Sequence, residues 1–245
     1  MLTEQDRQRY MRQIVMKGIG EEGQQKLKDS KVLVIGAGGL GSPVLFYLAA
    51  AGIGEIGIVD NDTVSLSNLN RQILHTDDDI DVPKVESAVN KLQKLNYDTK
   101  YNVMQLYLDE GNMEEILSQY DLVVDCVDNN ETRYLINHYA VKLGIPLVEG
   151  GVRGLEGYIL PILPGKTPCY RCVYPEKTNN APGPIPILGG TAGAVGSMQA
   201  VVAVRMLLGQ SVPAGKLTFF QFAGLTSYQM EVFRDPDCPD CGKLY

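Results

Sequence analysis

Three glycines and one aspartate in the first quarter of the sequence have the types and spacing of a nucleotide site. Gly36, Gly38 and Gly41 follow the pattern Gly-x-Gly-x-x-Gly after the apolar run Lys31–Gly36, and Asp60 ends the next apolar run. Such glycines allow a tight turn that brings backbone close to phosphate at a helix N-terminus, and the acid accepts from ribose hydroxyls. NAD, FAD and ATP all satisfy this pattern, and a packing turn without a ligand is the alternative.

Two pairs of cysteines in the second half form the next chemical pattern. They are Cys169-Tyr-Arg-Cys172 and Cys238-Pro-Asp-Cys241. Four thiolates suit a closed tetrahedral Zn²⁺ site, which has a structural role because no coordination position stays open. A redox pair is the alternative, but each pair lies among turn residues rather than at the start of a helix after a strand. The fifth cysteine, Cys126, lies in the apolar run Leu122–Val127, which favours a buried packing thiol over a nucleophile.

The elements that must position these residues alternate between strand and helix up to residue 150, which indicates βαβ units and a parallel sheet. The predicted strands of this half are 31–36, 55–60, 101–106, 121–126 and 145–149, and its predicted helices are 40–51, 84–95, 113–119 and 130–143. In the second half, strands at 154–164, 216–222 and 227–233 lack intervening helices, so we expect them to extend the sheet in antiparallel fashion. A nearly apolar helix over 193–208 should pack in the core.

The fold class expected is therefore α/β and Rossmann-like, with a mostly parallel sheet extended by antiparallel strands in the C-terminal half. One domain spans residues 1–245, with an N-terminal helical arm (1–30), a nucleotide-binding half (31–150) and a second half (151–245). A composition of 44% hydrophobic and 21% charged residues excludes a disordered chain or a disulfide mini-protein.

Charge and hydropathy narrow the expected partners and location. The net charge of −7 argues against nucleic acid and anionic membranes as partners. No apolar run is long enough to span a bilayer, and Met1–Tyr10 lacks the apolar core of a signal peptide. We therefore expect a cytoplasmic protein.

Four longer motifs resemble those of the ThiF/MoeB/HesA family, the bacterial relatives of ubiquitin-activating enzymes. They are Arg9-Tyr-Met-Arg12-Gln-Ile, the segment Asp60–Gln72, Pro83-Lys84-Val-Glu-Ser and Asp125-Cys-Val-Asp128-Asn129. They stand in family order and spacing, and the resemblance extends from about Tyr10 to Gly242. It implies adenylation of the C-terminal glycine of a small ubiquitin-like sulfur carrier of the ThiS or MoaD type, in thiamine, molybdopterin or related sulfur transfer. Residues 151–245 would then be the carrier-binding half, held together by the zinc site.

The resemblance also implies a role for individual residues, with ATP, Mg²⁺ and Zn²⁺ as cofactors. Asp60 would hold the ribose, and Gly39 would be the closest approach of the turn to the nucleotide. Asp128 would bind Mg²⁺, and Arg12 would reach the γ-phosphate from the partner subunit of a homodimer. Among the further implied contacts, Asn68, Arg71 and Lys84 would contact the phosphates. Asp62 would support the loop or the nucleotide. The full set of remaining implied nucleotide contacts is Gly36, Gly38, Gly41, Asp62, Ser67, Asn68, Arg71, Lys84 and Asn129.

The reaction that the resemblance implies requires cations more than it requires a base. A terminal carboxylate with a pKa of about 3.5 is already ionised at neutral pH, so no general base is needed. The difficulty is to bring this anion to a triphosphate, which cations and geometry overcome. The chain accordingly has only two histidines, His75 and His138, and no arrangement that suggests a Ser-His-Asp triad.

One segment departs from the family pattern. Many relatives carry a cysteine between the first cysteine pair and the long helix, but Tyr174–Gly190 contains none. We therefore expect adenylation without a covalent carrier intermediate, with sulfur supplied through a separate sulfurtransferase. The prolines of this segment are Pro175, Pro182, Pro184 and Pro186. They predict a stiff loop, and we expect it to frame a channel for a carrier tail that ends in Gly-Gly. An ordinary connecting loop is the alternative.

Other functions remain open at this point. Some family members activate a carboxylate or amide of a peptide or metabolite, and another branch is the tRNA threonylcarbamoyladenosine dehydratases, which the acidic charge disfavours. An NAD-dependent oxidoreductase explains the glycines and Asp60 but leaves Arg71, Lys84 and the cysteine pairs unexplained. A non-catalytic nucleotide-binding partner would not need the full set of phosphate contacts.

Overall fold

The computed structural model of the protein describes residues 1–175, 183 and 185–243. Its strands in these ranges are β1 (Lys31–Ile35), β2 (Glu55–Val59), β3 (Lys100–Met104), β4 (Leu122–Asp125), β5 (Leu147–Arg153), β6 (Glu156–Ile162), β7 (Lys216–Gln221) and β8 (Thr226–Glu231). The helices are α1 (Glu4–Ile14), α2 (Gly20–Asp29), α3 (Gly41–Ala51), α4 (Lys84–Leu95), α5 (Met113–Leu117), α6 (Asn130–Leu143), α7 (Tyr170–Val173) and α8 (Gly189–Leu207).

The strands form one sheet in the order β3-β2-β1-β4-β5-β6-β7-β8. The first five are parallel to their neighbours, and β5 to β8 pair antiparallel, which confirms the predicted fold class. The chain moves outward from β1 to β3 and then returns to the other side of β1 as β4. In doubly wound sheets a crevice opens at the carboxyl ends of the strands where the order reverses, here between β1 and β4.

Alternation along β1 explains why both faces of the sheet are covered. Val32 and Val34 belong to a core cluster with α3, α4 and α8, whereas Leu33 and Ile35 belong to a second cluster with α5 and α6. Successive strand side chains point to opposite faces, so an uninterrupted apolar strand requires helices on both sides. Within the described ranges, none of the helices combines the length and the apolar composition needed to cross a lipid bilayer.

Most predicted element boundaries lie within two residues of the structure, but two elements extend further. The strand predicted over 145–149 is β5, which continues to Arg153 because its antiparallel ladder with β6 runs as far as the Arg153–Glu156 pair. The helix predicted from 193 begins at Gly189. Glycine normally disfavours helix, but here a side chain at Gly189 would collide with the carbonyl of Asn70, so tertiary packing selects glycine in the first turn.

Candidate nucleotide site

A cleft of about 1200 Å³ opens at the carboxyl ends of the parallel strands. Its walls bring together residues from four separate motifs of the sequence. The predicted site residues that line it are Gly36, Gly38, Gly39, Asp60, Asp62, Ser67, Arg71, Lys84, Asp128 and Asn129. Motifs that are distant in sequence thus meet at the point where the strand order reverses.

Three glycines of the turn between β1 and α3, Gly36, Gly39 and Gly41, are too crowded for a side chain to fit without displacing a neighbour. Gly36 adopts φ +98°, and a Cβ there would lie 2.7 Å from the carbonyl oxygen of Cys126. A Cβ on Gly41 would overlap the carbonyl oxygen of Gly36, so Gly41 lies behind the turn and not in the cleft wall. A Cβ on Gly39 would lie 3.3 Å from Cβ of Ala192 in α8. The turn therefore exposes backbone to the cleft, the surface on which a phosphate can be bound closely.

Asp60 joins this turn to the loop that follows β2. Its Oδ2 accepts a hydrogen bond from the backbone N–H of Ala37 at 2.8 Å, and its Oδ1 accepts from the N–H of Asp62 at 2.9 Å. Each carboxylate oxygen has a further lone pair, so Asp60 can still accept from ribose hydroxyls. Asp60 thus fixes the turn and still has lone pairs that can accept from hydroxyl groups of a ligand.

Lys84, at the start of α4, presents a buried cation to the cleft. Only 7% of its side chain is exposed, and Nζ lies 2.7 Å from Oδ2 of Asp62. The backbone N–H of Lys84 also donates to the carbonyl of Asp62. Asp62 therefore holds Lys84 through both its carboxylate and its backbone carbonyl, which is a more specific arrangement than the support of loop or nucleotide expected from the sequence.

Arg71 lies across the glycine turn, with Cγ 3.6 Å from where a Cβ of Gly39 would be. Its Nη1 donates to the carbonyl of Ser67 at 2.9 Å, which ties the guanidinium to the preceding turn. The side chain of Asn68 is used within this turn, because its Oδ1 accepts from the N–H of Ser65. Asn70, not Asn68, lines the cleft. The sequence motif contains both asparagines, but only the turn geometry distinguishes them.

The loop after β4 supplies the acidic side of the cleft. Asp128 is exposed there, and Asn129 caps α6 by accepting from the N–H of Thr132 at 2.9 Å. An N-cap of this kind fixes where the helix begins. Asn129 therefore positions Asp128 at the cleft, in addition to any nucleotide contact.

Beneath this loop lies a buried charged cluster that the sequence analysis did not identify. Arg133 of α6 lines the cleft, and its Nη2 donates to the carbonyl of Val127 at 2.6 Å. Its Nε is 3.1 Å from Oε1 of Glu149 and 3.8 Å from Oδ2 of Asp125, both of which are fully buried. Burial raises the pKa of Glu149 well above its ordinary value, more than the nearby Arg133 lowers it. The cluster therefore holds one guanidinium between two buried acidic side chains, and burial favours the protonated form of Glu149.

The four paired cysteines meet in a second cluster, and none of them lines the cleft. All four sulfur atoms lie within 4.8 Å of one another, with Sγ of Cys169 3.7 Å from Sγ of Cys238 and Sγ of Cys172 3.4 Å from Sγ of Cys241. These distances are too long for disulfides, whose S–S bond is about 2.05 Å. They suit the edges of a tetrahedron around Zn²⁺, with Zn–S bonds of about 2.3 Å. The donor set fits a structural zinc ion.

Asp240 anchors the second cysteine pair to the rest of the protein. Its carboxylate accepts from Nε of Arg171 at 2.8 Å and from Nδ2 of Asn137 at 2.7 Å, and it lies 2.9 Å from Nδ1 of His138. Asn137 in turn accepts from the N–H of Tyr170, beside the first cysteine pair. Both pairs are therefore fixed to α6.

Cys126, Arg12 and the proline-rich loop are the remaining features that the sequence analysis singled out. Cys126 is buried, as expected, and burial raises its pKa, which disfavours a nucleophilic role. Arg12 is exposed in the last turn of α1 and does not line the cleft. The predicted channel loop falls partly outside the described residues, as do Pro182 and Pro184, but its described end at Ile185–Ile187 lines the cleft.

Comparison with known proteins gives a consistent set of similarities. The profile described as the ThiF family matches residues 10–242. The chain is 42% identical over 242 residues to the SAMP-activating enzyme E1 of Haloferax volcanii, with 96% of this chain and 88% of that protein covered. It is 42% identical over 252 residues to the sulfur carrier protein adenylyltransferase of Thermus thermophilus, with 98% and 92% covered. The crystal structure of E. coli MccB with ATP superposes with a TM-score of 0.80 at 26% identity, over 90% of this chain and 69% of that chain.

Proposed function

The chain belongs to the ThiF family, and we propose that it adenylates the C-terminal glycine of a small ubiquitin-like sulfur carrier with ATP. The observation that carries the proposal is the meeting of Arg71 and Lys84 with Asp60 and the glycine turn around one cleft. The names of the relatives at 42% identity support the carrier as substrate.

The proposed reaction needs no proton transfer at the start. A carboxylate oxygen of the carrier attacks the α-phosphorus of ATP, an O–P bond forms, and the bond to the β-phosphate oxygen breaks with its electron pair leaving on pyrophosphate. Arg71 and Lys84 stabilise the charge that develops on the phosphates. In this proposal Asp128 would hold Mg²⁺, a cation that suits a carboxylate ligand and that would neutralise phosphate charge.

The far end of the cleft supports an extended protein tail as the second substrate. Tyr158 of β6, Phe219 of β7 and Tyr228 of β8 line it beyond the nucleotide residues. Gly151 and Gly157 also lie there, and a Cβ on Gly157 would collide with Val195. In the proposal, the tail passes these aromatic side chains, and its terminal Gly-Gly enters where larger residues would block the approach.

We further propose a structural zinc site in residues 151–245 and a homodimer. Four cysteines would hold one structural Zn²⁺ that fixes the C-terminal tail. A homodimer is supported by the exposed apolar side chains of Met11, Val15 and Met16, and by the position of Arg12 outside its own cleft. In such a dimer, Arg12 of the partner subunit would reach the γ-phosphate. Because Tyr174–Gly190 contains no cysteine, sulfur would come through a separate sulfurtransferase.

ATP–pyrophosphate exchange with Mg²⁺ and candidate carriers ending in Gly-Gly tests this function. We expect exchange with one carrier only, and at least about a 100-fold loss of kcat in Lys84→Ala, because the buried cation acts on the transition state. The control is Lys94→Ala, an exposed lysine of the same helix.

The outcomes separate the competing functions. ATP binding without exchange for any carrier would redirect the assignment to a peptide, metabolite or tRNA substrate. Nicotinamide binding in place of ATP would overturn it. A thiol-sensitive covalent adduct between chain and carrier would contradict adenylation without a covalent intermediate.

A further inference from the structure

His75 is a buried side chain that the proposed reaction does not use. It is 4% exposed, and both of its ring nitrogens have partners. Nε2 lies 2.9 Å from the carbonyl oxygen of Ala37, within the glycine-rich turn, and Nδ1 lies 2.7 Å from Oγ of Ser87 in α4. The imidazole therefore links the nucleotide turn to a helix that also carries Lys84.

The partners determine which nitrogen carries the proton. A carbonyl oxygen only accepts, so Nε2 must be protonated, and Nδ1 of a neutral ring must accept from the hydroxyl of Ser87. Nζ of Lys91 donates to the same hydroxyl oxygen at 3.0 Å and also contacts the carboxylate of Asp79. The Ser87 proton is thus directed at His75, and the hydrogen bonds run in one sense from Lys91 to Ala37.

The surroundings keep this ring neutral. Burial lowers the pKa of His75, and the ammonium groups of Lys91 and Lys84 lower it further. The carboxylate of Asp79 and the Ala37 carbonyl oppose this, but the net direction is downward. A second proton on Nδ1 would face a hydroxyl that already receives a hydrogen bond from Lys91.

The hydrogen bond from His75 fixes the orientation of the peptide group between Ala37 and Gly38. The N–H of Ala37 donates to Asp60, so this residue is held on both its N–H and its C=O. Because N–H and C=O point in opposite directions across a trans peptide, the N–H of Gly38 is directed away from His75. Gly38 lines the cleft, and among residues 1–175, 183 and 185–243 no acceptor is bonded to its N–H.

We propose that His75 is a positioning residue of the nucleotide site, whose Nε2–H holds the Ala37–Gly38 peptide so that the Gly38 N–H donates to an oxygen of the bound nucleotide. The inference rests on the proposed function for the identity of the nucleotide. It predicts that His75 affects ATP binding and not recognition of the carrier.

Two variants and one spectrum test this role. In His75→Gln the side-chain amide can still donate to Ala37, whereas His75→Leu has similar bulk and no donor. We expect the Leu variant to raise KM for ATP about tenfold in pyrophosphate exchange, the order expected for one lost buried hydrogen bond. KM for the carrier should stay within about twofold, and the Gln variant should recover most of the ATP affinity. Equal losses in both variants, or an equal rise in KM for the carrier, would overturn the proposal.

The spectrum is independent of activity and of whether the Leu variant folds. Because the chain has two histidines, ¹⁵N spectra of the wild type and of His138→Gln assign the His75 ring. We expect the neutral Nε2–H form at about pH 7. An Nδ1–H ring or an imidazolium there would refute the positioning role. A wild-type chain that fails to bind ATP would instead refute the proposed function, and the spectrum would still decide whether His75 holds Ala37.

Discussion

At the scale of single residues, the cleft depends on how its buried charges are compensated. Lys84 has an exposed partner, Asp62, which a phosphate can replace as the counter-ion. Arg133 has two buried carboxyl partners, Asp125 and Glu149, which no ligand can reach directly. One guanidinium cannot neutralise two carboxylates, and burial penalises the excess charge. The two cations are thus suited to different roles: Lys84 to bind substrate, Arg133 to hold the floor of the cleft.

The raised pKa of Glu149 predicts a pH-dependent stability. Above the unfolded-state pKa, the folded chain retains a proton that the unfolded chain releases, so the free energy of unfolding falls as pH rises, by at most about 1.4 kcal/mol per pH unit for this group. Glu149→Gln removes this dependence while keeping the shape. We expect the stability of the variant relative to wild type to increase between about pH 5 and about pH 8 in urea unfolding.

The comparison between the two proteins at each pH cancels the titration of other groups. A difference in the free energy of unfolding that is constant with pH would show that Glu149 is ionised in the folded state. That outcome would mean that Arg133 favours the charged form of Glu149 at least as strongly as burial disfavours it, because a carboxyl group whose pKa is unshifted or lowered is ionised in both states over this range.

At the scale of elements, the glycine turn packs closely because neighbouring backbone atoms lie where side chains on its glycines would be. Gly41 shows this most directly, since a Cβ would overlap the carbonyl of Gly36. We expect Gly41→Ala to cost about 2 kcal/mol or more of the free energy of unfolding and to weaken ATP binding, because the turn must open to accommodate the methyl group.

A glycine in α8 provides the matched control. A Cβ on Gly193 would meet nothing within 4 Å, so Gly193→Ala should be neutral or stabilise by up to about 1 kcal/mol. Urea unfolding and ATP titration of both variants make the comparison. Equal stability of the two variants would mean that the turn adapts and that its glycines are not required by packing.

The elements also show what the sequence could and could not predict. Asp60 and the glycines follow buried strands, and parallel strands bring such residues to one edge of the sheet. The local sequence pattern was therefore sufficient to predict that they meet in the cleft. Which of Asn68 and Asn70 lines the cleft was not predictable, because it depends on side-chain directions in an irregular loop. The Arg133 cluster draws on three elements, and nothing local in sequence brings its members together.

At the scale of the whole molecule, the cysteine cluster of residues 151–245 joins distant parts of the chain. The two cysteine pairs are separated by 69 residues and meet at one point. We expect elemental analysis to find about one zinc per chain, and Cys238→Ser to lose the metal and lower Tm. Cys126→Ala, a buried cysteine outside the cluster, should retain it. A zinc-free chain with unchanged Tm would show that packing alone holds the C-terminal tail.

The proposed dimer can be tested by co-expressing two inactive variants, because each would damage a different contributor to the same site. A subunit carrying Arg12→Ala retains its own Arg71, and a subunit carrying Arg71→Ala retains an Arg12 that it can offer. If Arg12 acts across the interface, each mixed dimer has one intact site and one doubly damaged site. Random pairing of equal amounts then restores about a quarter of wild-type exchange activity, since half of the dimers are mixed and half of their sites are intact.

The same experiment distinguishes the alternatives to this arrangement. If Arg12 acted within its own subunit, one site of each mixed dimer would lack Arg12 and the other would lack Arg71, so co-expression would restore nothing. A monomeric enzyme would also give no recovery. Replacing the Arg71→Ala partner by the Arg12→Ala/Arg71→Ala double variant is the control, because no mixed dimer can then assemble an intact site. The exposed position of Arg12, outside the cleft of its own chain, favours recovery.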